Sequence, residues 1–171
     1  MPEESALIQI DATGRLTFAQ LQFRCALGRG GVRRDKREGD GATPAGRFAL
    51  RHLFYRPDRM TPPATLLAST PLDPADGWCD DPGHADYNLR VRLPHPAHCE
   101  TLWRKDAVYD LILPLGYNDD PPRAGLGSAI FMHVARRDYR PTQGCVALAL
   151  PDLLSLLAVL PAPAKIEIGY R

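Results

Sequence analysis

Two residues in the later part of the chain have the chemistry of an acyl-transfer pair. His133 follows the apolar run Ala129-Ile130-Phe131-Met132. A polar and basic excursion from Val134 to Pro141 comes next, then Thr142-Gln143-Gly144-Cys145, before the apolar Val146-Ala147-Leu148. A candidate base and a candidate nucleophile thus stand at opposite ends of one loop. A thiol attacks a carbonyl when a base or positive neighbour takes its proton and donors hold the oxyanion. His133 is the candidate for the first task. The Gly144–Cys145 backbone is the candidate for the second, because glycine lets the main chain turn its N–H groups towards a ligand.

The elements that must position this pair are strands. The 171 residues fit one domain, taken as 1–171, with enough chain for a sizeable core. Seventeen prolines and fourteen glycines favour short strands and turns over long helices. Strands are expected at Ala6–Asp11 and, after a turn at Thr13-Gly14-Arg15, at Leu16–Phe23, the two pairing as a hairpin. Arg33 to Gly41 is a charge run and reads as a solvated loop, with Lys36, Arg37 and Asp40 able to frame a cleft around a charged substrate. Thr43-Pro44-Ala45-Gly46 makes a tight entry into a strand that continues through Leu53. The proline-rich stretch from Arg56 to Ala75 is predicted to be an ordered loop with one strand at Thr65–Ala68.

Tyr87–Leu93 alternates until Pro94 stops it, His95–Glu100 reads as a turn, and Leu102-Trp103 as a short helical turn. Tyr109–Leu115 is the clearest buried strand. Pro151–Leu160 is predicted to be the one helix, with proline suited to its first turn, and Lys165–Gly169 a closing strand.

Charge and composition exclude several classes. Lys plus Arg is 21 against 20 for Asp plus Glu, so nothing argues electrostatically for nucleic acid or an anionic membrane surface. No apolar run is long enough to cross a bilayer. The stretch MPEESALIQID is acidic and shows no basic head with an apolar core, so no secretory leader is expected. Cys25, Cys79, Cys99 and Cys145 have no CxxC spacing, so disulfides are not implied. Cys79, Asp80, Asp81 and His84 cluster along the chain, as do His95, His98 and Cys99, but neither group has the paired spacing of a structural zinc site. No metal and no cofactor are expected.

Ile130-Phe131-Met132-His133 followed by Thr142-Gln143-Gly144-Cys145-Val146 resembles the active-site signature of the L,D-transpeptidase (YkuD-type) catalytic domain. Thr43-Pro44-Ala45-Gly46-Arg47-Phe48 resembles the upstream Thr-Pro-x-Gly-x-Phe element of the same family, in the same order. The resemblance implies a mainly β, sandwich-like fold with one helix after the cysteine. It also implies cysteine acyl transfer on peptidoglycan stem peptides, both donor and acceptor. In that family a cysteine attacks the amide after a diaminopimelate residue, and an amine or water resolves the acyl-enzyme. Carried over by position, Cys145 is the nucleophile and His133 its base. The Val134 carbonyl orients the imidazole, and the Gly144, Cys145 and Gln143 amides form the oxyanion hole, with Thr142 supporting the turn. Gln143 stands where many members have a second histidine, and Ala147 where many have arginine or asparagine.

On the same footing Arg136, Arg137 and Arg140 are expected to meet substrate carboxylates, since a guanidinium suits that planar group. Trp78, with Asp80 and Asp81, would suit the diaminopimelate ammonium. Tyr117 and Asn118 repeat the Tyr-Asn pair of Tyr87 and Asn88; core packing and a turn account for both pairs, and Tyr117 and Asn118 remain candidate substrate contacts. The resemblance further implies acylation by carbapenem-type inhibitors, action as a monomer, and a periplasmic or cell-wall location, which the lack of a visible leader sets against a cytoplasmic one. Hydrolysis of peptidoglycan peptides and a non-catalytic cell-wall-binding module are the alternatives.

Overall fold

Strands of alternating burial carry this chain, and the computed structural model describes residues 6–170 of it. The N-terminal strands are β1 (Leu7–Asp11), β2 (Arg15–Phe18), β3 (Leu21–Ala26), β4 (Val32–Arg33), β5 (Thr43–Pro44), β6 (Gly46–Leu50), β7 (His52–Tyr55) and β8 (Ala68–Pro71). Then come β9 (Asp76–Cys79), β10 (Arg90–Arg92), β11 (Cys99–Thr101), β12 (Leu111–Pro114), β13 (Phe131–Val134) and β14 (Val146–Leu148). The helix α1 (Leu150–Leu157) and the strand β15 (Ala164–Tyr170) end the described chain.

Ten strands form one mixed sheet in the order β6-β15-β1-β2-β3-β14-β13-β12-β7-β8. The sheet curls on itself. Leu50 at the end of the edge strand β6 bridges to Leu115, just past β12, and the Gly116 N–H donates to the Ala49 carbonyl at 2.8 Å. One residue, Arg51, separates β6 from β7, so the chain turns a corner from one half of the sheet to the other. Between the halves lies the main core: Ile8, Ile10, Leu16 and Ile166 from one side, Leu53, Leu113, Met132, Val146 and Leu148 from the other. The helix adds Leu153, Leu156 and Leu157. This is the mainly β architecture the resemblance implies, with the helix after Cys145.

A separate three-stranded sheet, β10-β9-β11, packs outside the long one. Between them lies a second apolar cluster containing Phe54, Leu72, Leu102, Tyr109, Ile112, Phe131 and Cys145. The sequence reading does not anticipate β9 or β11. Their residues, DGWC and CET, are polar and short, and they become strands because they pair with each other rather than by propensity.

Other boundaries also differ. The stretch expected as one strand over Leu16–Phe23 breaks into β2 and β3 at Ala19, which takes a positive φ of 50° that no Gly or Asn announces. The strand expected at Thr65–Ala68 lies at Ala68–Pro71. The helix expected to run to Leu160 stops at Leu157. Leu113→Ala should lower stability by about 2–5 kcal/mol, read as a lower urea midpoint, because its side chain is sealed in the curl; an unchanged midpoint would contradict the closed core.

Candidate active site

Strand alternation sorts the site residues. On β13, Met132 and Val134 enter the main core, while Phe131 and His133 face the outer side. On β14, Val146 and Leu148 enter the core, while Ala147 faces the same outer side as His133. The strands are parallel with His133 opposite Ala147 and Met132 opposite Val146. Cys145, one residue before β14, therefore lies level with Phe131, whose N–H donates to its Sγ at 3.3 Å. His133 is one side-chain repeat further along, roughly 6–7 Å up the strand direction on the neighbouring strand. Both side chains line one cavity of about 520 Å³.

His133 is 6% exposed, and burial drives its pKa down to about 4 against the pull of its backbone bond to Val134. Its Nδ1–H donates to the Val134 carbonyl at 2.9 Å, which leaves Nε2 with the lone pair. Cys145 is 8% exposed, and burial, helped by Glu100, pushes its thiol up to about 12. In this state the thiol donates to the Ala129 carbonyl at 3.3 Å. The pair is therefore neutral at rest: a thiol and an uncharged imidazole.

The turn before Cys145 is held from three sides. Thr142 Oγ1 donates to the Cys145 carbonyl at 2.7 Å and accepts the Gly144 N–H at 3.1 Å. The Thr142 N–H donates to the Leu27 carbonyl, and its carbonyl accepts the Arg29 N–H. Between these residues the Gly28 N–H donates to the fully buried Thr43 hydroxyl at 2.8 Å. Thr43 of the upstream Thr-Pro-Ala-Gly element thus supports the cysteine turn through one intervening segment. Gly144 has a φ of 133°, and a side chain there would meet the Ala42 carbonyl oxygen at 2.7 Å.

The cavity differs from the one the sequence suggests. Arg136, Arg140, Gln143 and Thr142 line it, but Arg137 does not. Asp80 lines it in place of Asp81, whose carboxylate accepts the Gly83 N–H in its own loop. Trp78 packs edge-on against Phe131 and donates its Nε1–H to Asn88 Oδ1. Tyr117 and Asn118 line a separate shallow groove and tie up the loop before Ser128 through bonds to the Leu126, Arg123 and Gly127 carbonyls. Their contacts are structural, as is the Asn88 side chain that holds Trp78, Ala129 and the Tyr117–Asn118 carbonyls.

Sequence reasoning misses the far wall. Lys36, Glu38, Glu100, Arg104, Tyr109 and Ser128 line the cavity too. Lys36 belongs to the charge run yet is 4% exposed, its ammonium against Asp40 at 2.8 Å. Glu100 is bonded by the Tyr109 hydroxyl, and burial raises its carboxyl pKa. Nothing in the local sequence marks Glu100, because its position depends on the pairing of β11 with β9.

Residues 5–168 match the family of the L,D-transpeptidase catalytic domain, YkuD. No curated protein matches the chain. Among solved structures, an L,D-transpeptidase from Mycobacterium smegmatis superposes with a TM-score of 0.48 at 10% identity, covering 97% of this chain and 59% of that one. The chain thus spans well under two thirds of that protein's length.

Because the folded imidazole has a pKa of about 4, below its ordinary 6.5, the unfolded chain takes up more protons between those values. Stability should fall as the pH drops through this window, by roughly 3 kcal/mol for His133 at about 1.4 kcal/mol per unit. Urea midpoints at pH 7 and pH 4 should show a smaller acid loss in His133→Gln than in the wild type. Equal losses would mean that the imidazole is charged in the fold.

Proposed function

The chain belongs to the YkuD family of L,D-transpeptidase catalytic domains, and on that premise we propose that it is a cysteine acyltransferase crosslinking peptidoglycan stem peptides. The observation that carries the reading is the shared cavity of Cys145 and His133, with the imidazole held by Val134 so that Nε2 is the basic atom.

The cysteine Sγ leaves its bond to Ala129 and gives its proton to His133 Nε2 as it attacks the amide carbonyl after a diaminopimelate residue. The Gly144 N–H already serves Thr142, so the oxyanion falls to the amides of Gln143 and Cys145. The C–N bond breaks, His133 returns its proton to the leaving amine, and a thioester remains on Cys145. An acceptor amine then attacks the thioester, gives its surplus proton to the imidazole, and leaves with the acyl group; the thiolate regains a proton. Water in the acceptor's place would make the same site a hydrolase of these peptides.

The cavity wall fits such a donor. A diaminopimelate stem carries an ammonium and several carboxylates. Glu38, Asp80 and Glu100 line the cavity together with Lys36, Arg104, Arg136 and Arg140. A zwitterionic chain can meet both signs there without leaving a buried charge unpaired. A substrate of this class would be met at the periplasmic or cell-wall face. A carbapenem would acylate the same sulfur as a strained acyl donor.

Incubation with purified muropeptides followed by mass spectrometry should give crosslinked products, and a carbapenem adduct should map to Cys145. Cys145→Ala should lose both, and a variant that keeps turnover would overturn the assignment. Arg136→Ala and Arg140→Ala should raise the donor KM by about tenfold for each lost charge-assisted contact, while Arg137→Ala, outside the cavity, should leave it unchanged. The reverse ranking would remove the arginine contacts from the model of binding.

A further inference from the structure

The structure assigns a second site, on the back of the small sheet: Cys79, Cys99 and His95 form a thiolate–imidazole centre for a zinc-class divalent cation. Their ligand atoms lie within 4.8 Å of one another. A tetrahedral zinc with Zn–S bonds of about 2.3 Å sets its sulfurs about 3.8 Å apart, so a small contraction completes the shell.

Sheet geometry places the two sulfurs side by side. Cys79 and Cys99 are direct partners across β9 and β11. The flanking pairs carry the ladder bonds: the Asp80 N–H donates to the His98 carbonyl, and the Leu102 N–H to the Asp76 carbonyl. In an antiparallel ladder the bonded and unbonded pairs alternate, so Cys79 and Cys99 occupy an unbonded pair, where side chains approach most closely. Cys79 is fully buried, and Cys99 and His95 are half-buried, which gives a cation a way in.

His95 already has the surroundings of a metal ligand. Its Nε2 lies 2.9 Å from Asp86 Oδ2, the carboxylate–imidazole pairing that commonly orients a ligating histidine. That leaves Nδ1, whose one lone pair accepts the Ala97 N–H at 3.1 Å and must exchange that bond for the cation, while the Ala97 carbonyl accepts the Cys99 thiol at 3.5 Å. Nδ1 and the Cys99 sulfur thus converge on one three-residue turn. The His84 ring packs against His95 at 4.8 Å between centroids but is not grouped with the two sulfurs, so the fourth position falls to a water. Binding releases the two thiol protons to solvent, and the cation and two thiolates together are neutral. Spacing along the chain hides this arrangement, because the two cysteines meet across strands and not within one loop.

The site does not coincide with the catalytic cavity. Side chains alternate along the strands, so Cys79 and Cys99 face away from Trp78 and Glu100. Trp78 packs on Phe131, and Glu100 lines the cavity. The cation would staple β9 to β11 from behind and so hold the wall that presents Asp80 and Glu100.

The purified full chain, reduced and stripped by a chelator, is titrated with Co²⁺ and then with Zn²⁺. One Co²⁺ per chain should bind with a thiolate-to-cobalt charge-transfer band, zinc should displace it, and zinc should raise the thermal midpoint. Cys99→Ser and His95→Ala should lose the band or weaken binding by about tenfold or more; Asp86→Asn should weaken it by a similar factor. Cys145→Ala should keep both the band and the stoichiometry. Absence of the band in the reduced wild type, its survival in Cys99→Ser, or its loss in Cys145→Ala overturns the assignment. A Cys79–Cys99 disulfide in the isolated chain, with no metal taken up after reduction, overturns it equally.

Discussion

Three loops meet main chain to main chain beside the Cys145 turn, and there is no room between them for a side chain. A Cβ on Gly28 would lie 2.2 Å from the Gly41 carbonyl oxygen and 2.9 Å from the Gly144 Cα. Glycine is required here by contact, and at Gly144 by φ as well. Close approach of backbones also demands partners for their polar groups, and the buried Thr43 hydroxyl supplies one for Gly28. The Thr43–Phe48 and Thr142–Cys145 segments, about a hundred residues apart, are therefore two halves of one packing unit. Thr43 does not need to touch a substrate to matter.

The electrostatics follow from the same closeness. Burial favours neutral forms, so the thiol at 145 and the imidazole at 133 both rest uncharged. A resting ion pair would need solvent or counter-charge that this pocket floor does not provide. Charged groups of both signs line the cavity wall instead, and beside it Arg104 is bonded to Asp106 and holds that carboxyl at about 2. On the proposed function, a substrate that fills this cavity would complete the pairing and exclude water from the floor, the condition under which donors to an oxyanion act most strongly.

Much of this is visible in the residues alone. The strands around His133 and Cys145 are apolar and bounded by turn formers, so their existence and order can be read directly. Ala19 shows what cannot be read: a residue with no turn preference takes a left-handed conformation because the hairpin around it is fixed by β2 and β3 pairing. Glu100 and Lys36 show the same limit at the site. One looks like a turn residue and the other like a solvated charge; Glu100 is placed by the pairing of β11 with β9, and Lys36 lies buried in the cavity wall with its ammonium against Asp40. Trp78 and Asp81 point the other way: aromatic and acidic residues invite a binding role, yet Trp78 is absorbed by Phe131 and Asn88, and Asp81 by its own turn.

The long sheet joins β1 to β15 in parallel, with Leu7 opposite Lys165 and Ile10 opposite Ile168. Pairing between such remote segments pays its loop-closure entropy before any contact rewards it. Without β15, residues 7–11 would present one edge of the β1–β2–β3 meander unfilled, a template for pairing with another chain; the strand that covers them also holds β6 in place.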